Sequence, residues 1–371
     1  MKVYAVGGSV RDELLGLPVR DRDWVVVGAT PEAMIALGFR PVGSDFPVFL
    51  HPQTHEEYAL ARTERKTAPG YRGFVFHASP EVPLEDDLRR RDLTINAMAR
   101  AQDGTLVDPF GGAADLERGL LRHVSEAFAE DPVRILRVAR FAARFGYPVA
   151  PETMALMRRM VETGEADHLV AERVWQEVAL GLQEPRPTRL IEVLRECGAL
   201  ARVLPEVERL FAQSRDGARA LARLAASHGA PLPVRFALLT LGLEPAAVAA
   251  LCERINAPGE CRDLAGLAAR ERAGVEGAAS LGPQALLSLL ERVDAFRRPE
   301  RLDRLLDICE IDLRTRSSTR PLPRGRIADA RAAALEVDAA AIAGANPGSA
   351  PQAIHSARVD RIAERLRLPG E

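Results

Sequence analysis

The pattern that most directly suggests chemistry is an Asp-x-Asp pair at the start of an apolar strand. Asp21 and Asp23 are separated by one residue and followed by Trp24–Val27. Residues two apart on a strand face the same way, so both carboxylates point at one spot. Such neighbours repel each other unless a cation lies between them, and their hard oxygen atoms suit Mg²⁺. Asp-x-Asp alone is common on surfaces, but here it is a candidate two-metal phosphoryl-transfer site.

A glycine turn lies a short distance before the acidic pair. Gly7-Gly8-Ser9-Val10-Arg11-Asp12 follows the apolar run Val3–Val6 and predicts a strand, a tight turn and a short helix. Backbone N–H groups at such a turn bind phosphate oxygens, and the Arg11 guanidinium would add charged hydrogen-bond donors. A Gly-Gly turn alone is more often structural, and the absence of Gly-Lys-Ser/Thr excludes a P-loop. Its place before Asp21 and Asp23 favours phosphate binding.

Two arginine-rich segments follow. In Arg89-Arg90-Arg91-Asp92-Leu93-Thr94-Ile95-Asn96-Ala97-Met98, three adjacent like charges need an anion or a solvated face, and Asp92 is expected to cap a helix through Asn96–Met98. In Glu130-Asp131-Pro132-Val133-Arg134, Asp131 suits an N-cap and Pro132 the first helical position. The following arginines share one helix face, which has no acidic partners at i+4, and this favours contact with anions. They are Arg134, Arg137, Arg140 and Arg144.

Periodicity divides the chain into a mixed part and a helical part. Short apolar runs with turn residues predict strands and helices up to about residue 110, and Asp108–Gly112 forms a turn cluster. From there, helical spacing continues through Pro132–Phe145 and on to Glu371. The predicted class is α+β, a small α/β head with a short mixed sheet followed by an elongated all-α neck, body and tail. The predicted domains are residues 1–115, 116–210 and 211–371.

Composition sets wider limits. The chain has 371 residues, a formal charge of −2, 47% hydrophobic and 27% charged residues, which excludes collagen, disulfide-stapled and largely disordered classes. Among the 50 basic residues only Lys2 and Lys66 are lysine, which fits either codon bias or phosphate contact. The four cysteines form no Cys-x-x-Cys pair, so a zinc site is not expected. Neither a signal peptide nor a membrane segment is recognisable, so the expected location is the cytoplasm.

Taken together and in order, these motifs resemble those of the class II tRNA nucleotidyltransferases, the CCA-adding enzymes of the polymerase β superfamily. The segments Glu172-Arg173-x-x-x-Glu177 and His55–Lys66 add to the resemblance, which covers about residues 1–210. Within this family the sequence most resembles the bacterial multifunctional CCA proteins. Each motif alone is ambiguous, whereas the ordered set is highly specific. The resemblance implies addition of C, C and A to the 3′ end of tRNA from CTP and ATP, with Mg²⁺ as cofactor.

The resemblance also implies residue roles. Asp21 and Asp23 would hold Mg²⁺, one ion lowering the pKa of the tRNA 3′-hydroxyl and the other escorting pyrophosphate. Glu57 would be a third carboxylate. The remaining roles concern the nucleotide: Gly8 and Arg11 would contact its phosphates, Arg91, Arg137 and Arg140 would grip it, and Asp131 with Arg134 would read its base.

Base reading by an Asp/Arg pair is chemically sound. Cytosine and adenine both present an exocyclic amine beside an acceptor ring nitrogen. A carboxylate such as Asp131 accepts from the amine while Arg134 donates to the ring nitrogen. Uracil and guanine present the opposite pattern and would leave a buried charge unpaired, which costs a few kcal/mol. The protein itself therefore selects C and A.

The sequence departs from this family after about residue 210. The multifunctional enzymes carry a metal-binding HD phosphohydrolase domain, but this chain has no His-Asp dipeptide and only His228 and His355 beyond Leu210. The family's His-Asp-Leu-Gly-Lys is replaced by Leu239-Thr240-Leu241-Gly242-Leu243, whereas Asp294–Pro299 still resembles that domain. We expect an HD-derived helical body without phosphohydrolase activity that cradles the tRNA elbow.

Several alternatives remain open. A bacterial poly(A) polymerase shares the head motifs, although the basic terminal extensions usual in those enzymes are not recognisable here. A CC-adding or A-adding specialist would differ in a flexible loop, but Arg62–Tyr71, with Lys66, Pro69 and Gly70, resembles an intact one. A catalytically inactive RNA-binding module is disfavoured by the intact acidic pair. A small-molecule nucleotidyltransferase would not need the long helical body.

Overall fold

The chain forms two compact units, Met1–Val203 and Leu204–Glu371. The structure is a computed structural model that describes residues 1–19, 21–42, 48–66, 74–212, 214–318 and 320–367. The first unit contains a mixed sheet and helices, and the described part of the second is helical, which confirms the α+β class. The predicted boundary at residue 115 lies within the first unit, and the three-domain division stays a prediction. No helix in the described ranges is long and apolar enough to cross a membrane.

The first unit is built on a seven-stranded sheet in the order β3-β4-β5-β2-β1-β8-β9. Its neighbouring strands are antiparallel except for β2 and β5, which run parallel. A separate two-stranded sheet pairs β6 with β7. The strands are β1 (Lys2–Val6), β2 (Asp23–Val27), β3 (Arg40–Val42), β4 (Val48–Leu50), β5 (Glu57–Leu60), β6 (Arg62–Lys66), β7 (Phe74–Ala78), β8 (Ala99–Ala101) and β9 (Leu106–Val107).

The sheet is buried on both faces, which fixes the direction in which Asp23 points. Val25 belongs to a hydrophobic cluster with Val6 and Leu88, whereas Val26 belongs to a second cluster with Met34 and Phe49. Because side chains alternate along a strand, Asp23 shares the face of Val25. Burial of both valines therefore sets the register of β2 and the face that carries its carboxylate.

The glycine turn forms as expected, but the segment after the triple arginine does not. Gly7 has φ of 73° and connects β1 directly to α1 (Gly8–Leu14), so a left-handed residue is needed there. The predicted helix through Asn96–Met98 is wrong: a single 3₁₀ turn, Thr94–Asn96, is followed by strand β8. The apolar side chains of this segment are all buried, since Ile95, Ala97 and Met98 have no exposed surface. Tertiary burial overrides local helix propensity here.

Helix α5 buries its apolar face within the first unit. Ile135, Leu136 and Val138 are fully buried, and α5 packs against α7 and α8. Gly146 ends α5 in the left-handed conformation. The helices are α1, α2 (Pro31–Ala36), α3 (Leu84–Arg89), α4 (Gly112–Arg118), α5 (Val133–Phe145), α6 (Pro151–Glu162), α7 (Ala171–Gln183), α8 (Pro187–Glu196) and α9 (Ala199–Val203).

The second unit is a helical assembly with α14 at its centre. That helix packs against α12, α13, α15 and α16, and α19 packs against α15, α17 and α18. The helices are α10 (Pro205–Ala212), α11 (Ser214–Ala226), α12 (Leu232–Thr240), α13 (Pro245–Arg254), α14 (Gly259–Glu276), α15 (Pro283–Val293), α16 (Pro299–Thr315), α17 (Arg324–Leu335), α18 (Ala339–Ala345) and α19 (Ala350–Leu366).

Candidate active site

Most of the residues singled out by the sequence line one cleft of the first unit, with a volume of about 470 Å³, whereas Asp21 and Glu57 are not among its described lining residues. Five segments form its walls: the glycine turn, the start of β2, the loop after α3, the face of α5 and the start of α7. Most of the lining side chains are basic, which makes the cleft suitable for a polyanion. The lining residues are Gly7, Gly8, Arg11, Asp23, Arg90, Arg91, Asp92, Asn96, Asp131, Val133, Arg134, Arg137, Arg140, Phe141, Arg144 and Arg173.

The acidic pair contributes Asp23, but not Asp21, to the described lining of this cleft. Asp23 is the first residue of β2 and lines the cleft, whereas Asp21 lies just before the strand, and both are exposed. Glu57 is the register partner of Asp23 on the parallel strand β5. In the described ranges, no three His, Cys, Asp or Glu side chains come close enough to hold one metal ion. The exposed oxygens of Asp21 and Asp23 fit a divalent cation that shares its ligands with substrate phosphates, and the role of Glu57 stays a prediction.

Arg11 is held tightly behind the glycine turn. Its side chain is only 3% exposed, its Nε donates to Asp12 Oδ1 at 2.8 Å, and its Nη1 donates to Asn96 Oδ1 at 2.5 Å. Burial lowers the pKa of Arg11, against the opposing effect of the Asp12 charge. A Cβ on Gly8 would lie 3.3 Å from Arg11 Nη2, so a glycine lets the guanidinium approach the turn. Arg11 is thus fixed beside the backbone predicted to bind phosphate.

Asp92 connects the loop after α3 to helix α5. It does not cap the predicted helix. Instead its Oδ1 accepts hydrogen bonds from Leu93 N and Asn96 Nδ2, and its Oδ2 accepts one from Arg137 Nε at 2.7 Å. Burial alone would raise the pKa of Asp92, but Arg137 and the hydrogen bonds lower it well below its usual range. This carboxylate therefore stays charged and joins two walls of the cleft.

A second buried carboxylate organises the triple arginine. Asp87 has no exposed surface and accepts hydrogen bonds from Arg90 Nη2 at 2.7 Å and Arg91 Nη2 at 3.3 Å. Burial would raise the pKa of Asp87, but these arginines lower it. Arg91 lies over Gly7, where a Cβ would be 2.8 Å from Arg91 Nη1. Arg89 instead pairs with Glu85 on the surface, so the three neighbours do not share one partner.

The predicted base-reading pair lies at the N-terminus of α5. Asp131 Oδ1 accepts from Val133 N at 3.1 Å, but α5 begins at Val133 with Pro132 as its N-cap, so the predicted cap at Asp131 is one residue too early. Both Asp131 oxygens also accept from Arg173, at 3.0 and 2.8 Å. Arg134 donates to the carbonyl oxygens of Ala127 and Arg90, at 2.9 and 2.6 Å. These contacts fix the orientation of both side chains at the cleft wall, and base reading itself stays a prediction.

The remaining arginines of α5 have acidic partners that the sequence pattern did not reveal. Arg140 Nε donates to Glu177 Oε2 at 2.5 Å, and Arg144 Nη2 donates to Asp12 Oδ2 at 2.9 Å. The face has no acidic partner at i+4, as its spacing indicates, but its arginines are nevertheless paired with acids from other helices. The partners come from α7 and α1 rather than from i+4 on α5, so helical spacing alone could not identify them.

Sequence reasoning missed several side chains of the site. Asp12 and Asp87 each hold two arginines, and the ring of Phe141 lies against Arg11 and Arg140. Asp12 directly follows Arg11, and Phe141 follows Arg137 by four residues, so proximity in sequence was an available signal. The expected specificity loop, Arg62–Tyr71, lies partly outside the described residues.

Comparisons with known proteins agree with this geometry. Residues 3–122 match the family model described as the poly A polymerase head domain. Residues 146–211 match the model described as the probable RNA and SrmB-binding site of polymerase A. Among solved structures, the Bacillus stearothermophilus CCA-adding enzyme in complex with CTP is 26% identical, with a TM-score of 0.63, covering 85% of this chain and 74% of that one. The fold and the cleft thus define a nucleotidyltransferase with a poly A polymerase-type head.

Curated relatives narrow the class. The multifunctional CCA protein of Chromobacterium violaceum is 56% identical over 98% of each chain. That of Aromatoleum aromaticum is 55% identical over 98% of each chain, and that of Dechloromonas aromatica is 54% identical over 100% of this chain and 99% of its own. The chain belongs to the family of multifunctional CCA proteins. Nucleotidyltransferases of this family generally depend on a metal.

The Asp92 contacts predict a pH-dependent loss of stability in Asp92→Asn. At neutral pH the variant should lose about 2 kcal/mol of unfolding free energy, because Arg137 loses a charged hydrogen-bond partner. The folded-state pKa of Asp92 is depressed, so its stabilising effect is complete above the unfolded value of about 3.9 and is lost as pH falls below it. The difference between wild type and variant should therefore shrink below about pH 4.

Urea unfolding measured by tryptophan fluorescence tests this, since both tryptophans, Trp24 and Trp175, lie in the first unit. The exposed Glu117, replaced by Gln, is the matched control and should behave as wild type throughout. An equal loss for Asp92→Asn at pH 7 and pH 3 would contradict the ionic account of the contact.

Proposed function

We propose that the protein adds C, C and A to the 3′ end of tRNA, using CTP and ATP without a nucleic-acid template. The observation that carries the proposal is the arginine-lined cleft beside Asp23, which joins a phosphate site to a candidate metal site. The relatives named as CCA proteins support the choice of this reaction over poly(A) synthesis, since they match nearly the whole chain. A purely RNA-binding module would not require the exposed acidic pair.

The reaction is a nucleotidyl transfer in which the terminal tRNA 3′-oxygen attacks the α-phosphorus. The bond from that phosphorus to the β-phosphate bridging oxygen breaks, and pyrophosphate leaves. Asp21 and Asp23 would hold Mg²⁺, which supplies activation of the 3′-hydroxyl and charge neutralisation of the leaving group. Arg11, Arg91 and Arg140 would bind the triphosphate oxygens by charge-assisted hydrogen bonds.

Base selection would be carried out by Asp131 and Arg134 at the start of α5. The bidentate contact from Arg173 and the carbonyl contacts of Arg134 support this, because they hold both groups rigid before the nucleotide binds. A preorganised pair discriminates well, since a base with the wrong donor pattern cannot be accommodated by rotation of a side chain. The exocyclic amines of C and A would then bind Asp131.

The wider partners follow from the substrate. ATP and CTP would share one cleft because the Asp/Arg pair recognises a feature common to both bases. The helical remainder would cradle the tRNA elbow by shape and phosphate contacts. A tRNA substrate also favours a cytoplasmic location.

We infer that the second unit has no phosphohydrolase activity. The segment that replaces the family's His-Asp motif ends α12, and a buried guanidinium rather than a metal ligand lies against it. Arg223, 3% exposed, donates to the carbonyl oxygens of Leu238 and Leu241 and to Asp312 Oδ1 at 2.7 Å. Asp312 has no exposed surface and is also bound by Arg272 and Arg316. A cation of the chain itself thus neutralises the buried carboxylate, and these residues do not fit a divalent metal.

The reaction can be tested with tRNA lacking its last three nucleotides, incubated with CTP, ATP and Mg²⁺. We expect addition to stop after three nucleotides and Asp23→Asn to lower kcat by at least about 100-fold, because metal catalysis contributes several kcal/mol. Glu117→Gln serves as the control. Long adenylate tails from ATP alone would identify a poly(A) polymerase, and full tRNA binding without incorporation would identify an inactive RNA-binding module.

The base-reading proposal predicts relaxed selectivity in Asp131→Ala. The CTP-to-UTP ratio of kcat/KM should fall by at least about tenfold, because UTP no longer leaves a buried carboxylate unpaired. The affinity for the triphosphate should fall less, since its arginines are retained. Competition kinetics with both nucleotides measures this, with Glu117→Ala as the control. Unchanged discrimination against UTP would refute the assignment.

The inference about the second unit predicts no metal-dependent hydrolysis of 2′,3′-cyclic phosphates. The pure protein should be inactive on 2′,3′-cyclic AMP with Mg²⁺, Mn²⁺ or Ni²⁺, while the same preparation completes tRNA. The double variant Asp21→Asn/Asp23→Asn distinguishes the activities of the two units, because it removes only the candidate metal ligands of the first unit. Hydrolysis that persists in this variant and disappears with EDTA would overturn the inference.

A further inference from the structure

Two phenylalanine rings lie directly behind the cleft arginines. Phe141 and Phe145 are one helical turn apart on α5, with ring centroids 6.0 Å apart and planes inclined by only 8°. Phe141 is 4% exposed and still reaches the cleft wall. A pair of stacked rings on the polar side of an amphipathic helix is unusual, because apolar residues normally belong to the opposite face.

Four guanidinium groups surround these rings. Arg140 Cζ lies 4.5 Å from the Phe141 centroid, and Arg137 Cζ lies 5.6 Å from it. Arg144 Cζ lies 5.0 Å from the Phe145 centroid. Arg11, from α1, lies 5.2 Å from the Phe141 centroid and 5.0 Å from the Phe145 centroid. All of these distances fall within the range of cation–π attraction.

We propose that Phe141 and Phe145 are positioning residues that hold Arg137, Arg140 and Arg144 ready for the nucleotide triphosphate by cation–π contact. This inference rests on the proposed function, because it assumes that the cleft binds a triphosphate. It assigns to the rings a task that carboxylates cannot perform alone.

The task follows from electrostatics. Converging arginines repel one another in the empty cleft, and carboxylates such as Asp12, Asp92 and Glu177 offset that repulsion. Each added carboxylate, however, also repels an incoming triphosphate. An aromatic ring attracts a cation through its quadrupole while carrying no net charge. Rings therefore fix the arginines without reducing the positive charge offered to the ligand.

The hydrogen bonds of Arg137 and Arg140 to carboxylates use Nε and leave their terminal nitrogens out of these bonds, whereas Arg144 donates to Asp12 through its terminal Nη2. Among the described residues, the hydrogen bond that Arg140 makes to a protein group uses Nε, at its stem side. Arg137 is held in the same way, through Nε, by Asp92. With the ring below and the carboxylate at Nε, the terminal nitrogens of both arginines are those best placed to meet phosphate oxygens.

Stepwise fluorination of the rings is the sharpest test, because fluorine weakens the quadrupole while nearly preserving shape. Phenylalanine at 141 or 145 is replaced by its 4-fluoro, 3,5-difluoro and 3,4,5-trifluoro forms in the full chain. We expect the Kd for CTP, measured by titration calorimetry, and the KM for CTP and ATP to rise stepwise to about tenfold. The kcat and the discrimination against UTP should stay constant, since these arginines would bind ground and transition states alike.

The controls separate this effect from packing. Phe49 is buried in the core, and the described residues place no guanidinium over its ring, so its fluorination should leave KM unchanged. Phe141→Leu and Phe145→Leu should raise the KM for CTP and ATP. Phe145→Tyr keeps an aromatic quadrupole and should therefore have the wild-type KM. Urea unfolding of the first unit should have the same midpoint across the fluorinated series.

The outcomes also distinguish this inference from the proposed function. If the unmodified protein binds no CTP and completes no tRNA, the proposed function fails. If it is active but KM does not change with fluorination at either ring, the phenylalanines only fill space and the inference is overturned. An equal rise in KM for the Phe49 series would overturn it as well.

Discussion

The first unit depends on bringing several arginines to one cleft without letting their mutual repulsion open it. Each guanidinium is paired before any ligand arrives: Arg137 with Asp92, Arg140 with Glu177, and Arg11 with Asp12. The same pairs hold the fold together, because each carboxylate lies on a different segment from at least one of its arginines. Binding site and tertiary structure are therefore stabilised by the same contacts, and buried pairs of this kind are costly to break singly.

The sequence predicted much of the fold, since many of its elements are determined locally. The apolar runs, the Gly7 turn and the helical periodicity from Pro132 onward all correspond to observed elements. The strands that it missed owe their existence to partners rather than to composition. Arg62–Lys66 is almost entirely polar and becomes a strand only by pairing with Phe74–Ala78. The helix predicted through Asn96–Met98 is wrong for the opposite reason, because burial of its apolar side chains outweighs local helix propensity.

For the site, sequence identified residue types but not their partners. The acidic pair, the glycine turn and the arginine face of α5 are visible as patterns, and Asp23, the turn and the arginine face line one cleft. The pairing of Arg144 with Asp12 joins residues 132 positions apart, and that of Arg140 with Glu177 joins residues 37 apart. No periodicity connects such distant segments. An arginine stripe without local acids looked unpaired only because helical spacing was the sole criterion available.

Buried arginines stabilise the fold in the second unit, whereas the cleft arginines of the first unit are placed to bind a ligand. In the second unit, Arg223 donates to two backbone carbonyls and to Asp312, and it is almost completely buried. Its charge is used within the fold. In the cleft, Arg140 is held through Nε and by the face of Phe141, so its contacts fix the side chain from one side. A guanidinium surrounded by acceptors stabilises a core, whereas one held from behind by a ring presents its charge to a ligand. The number and direction of the contacts, rather than the residue type, decide which function an arginine serves.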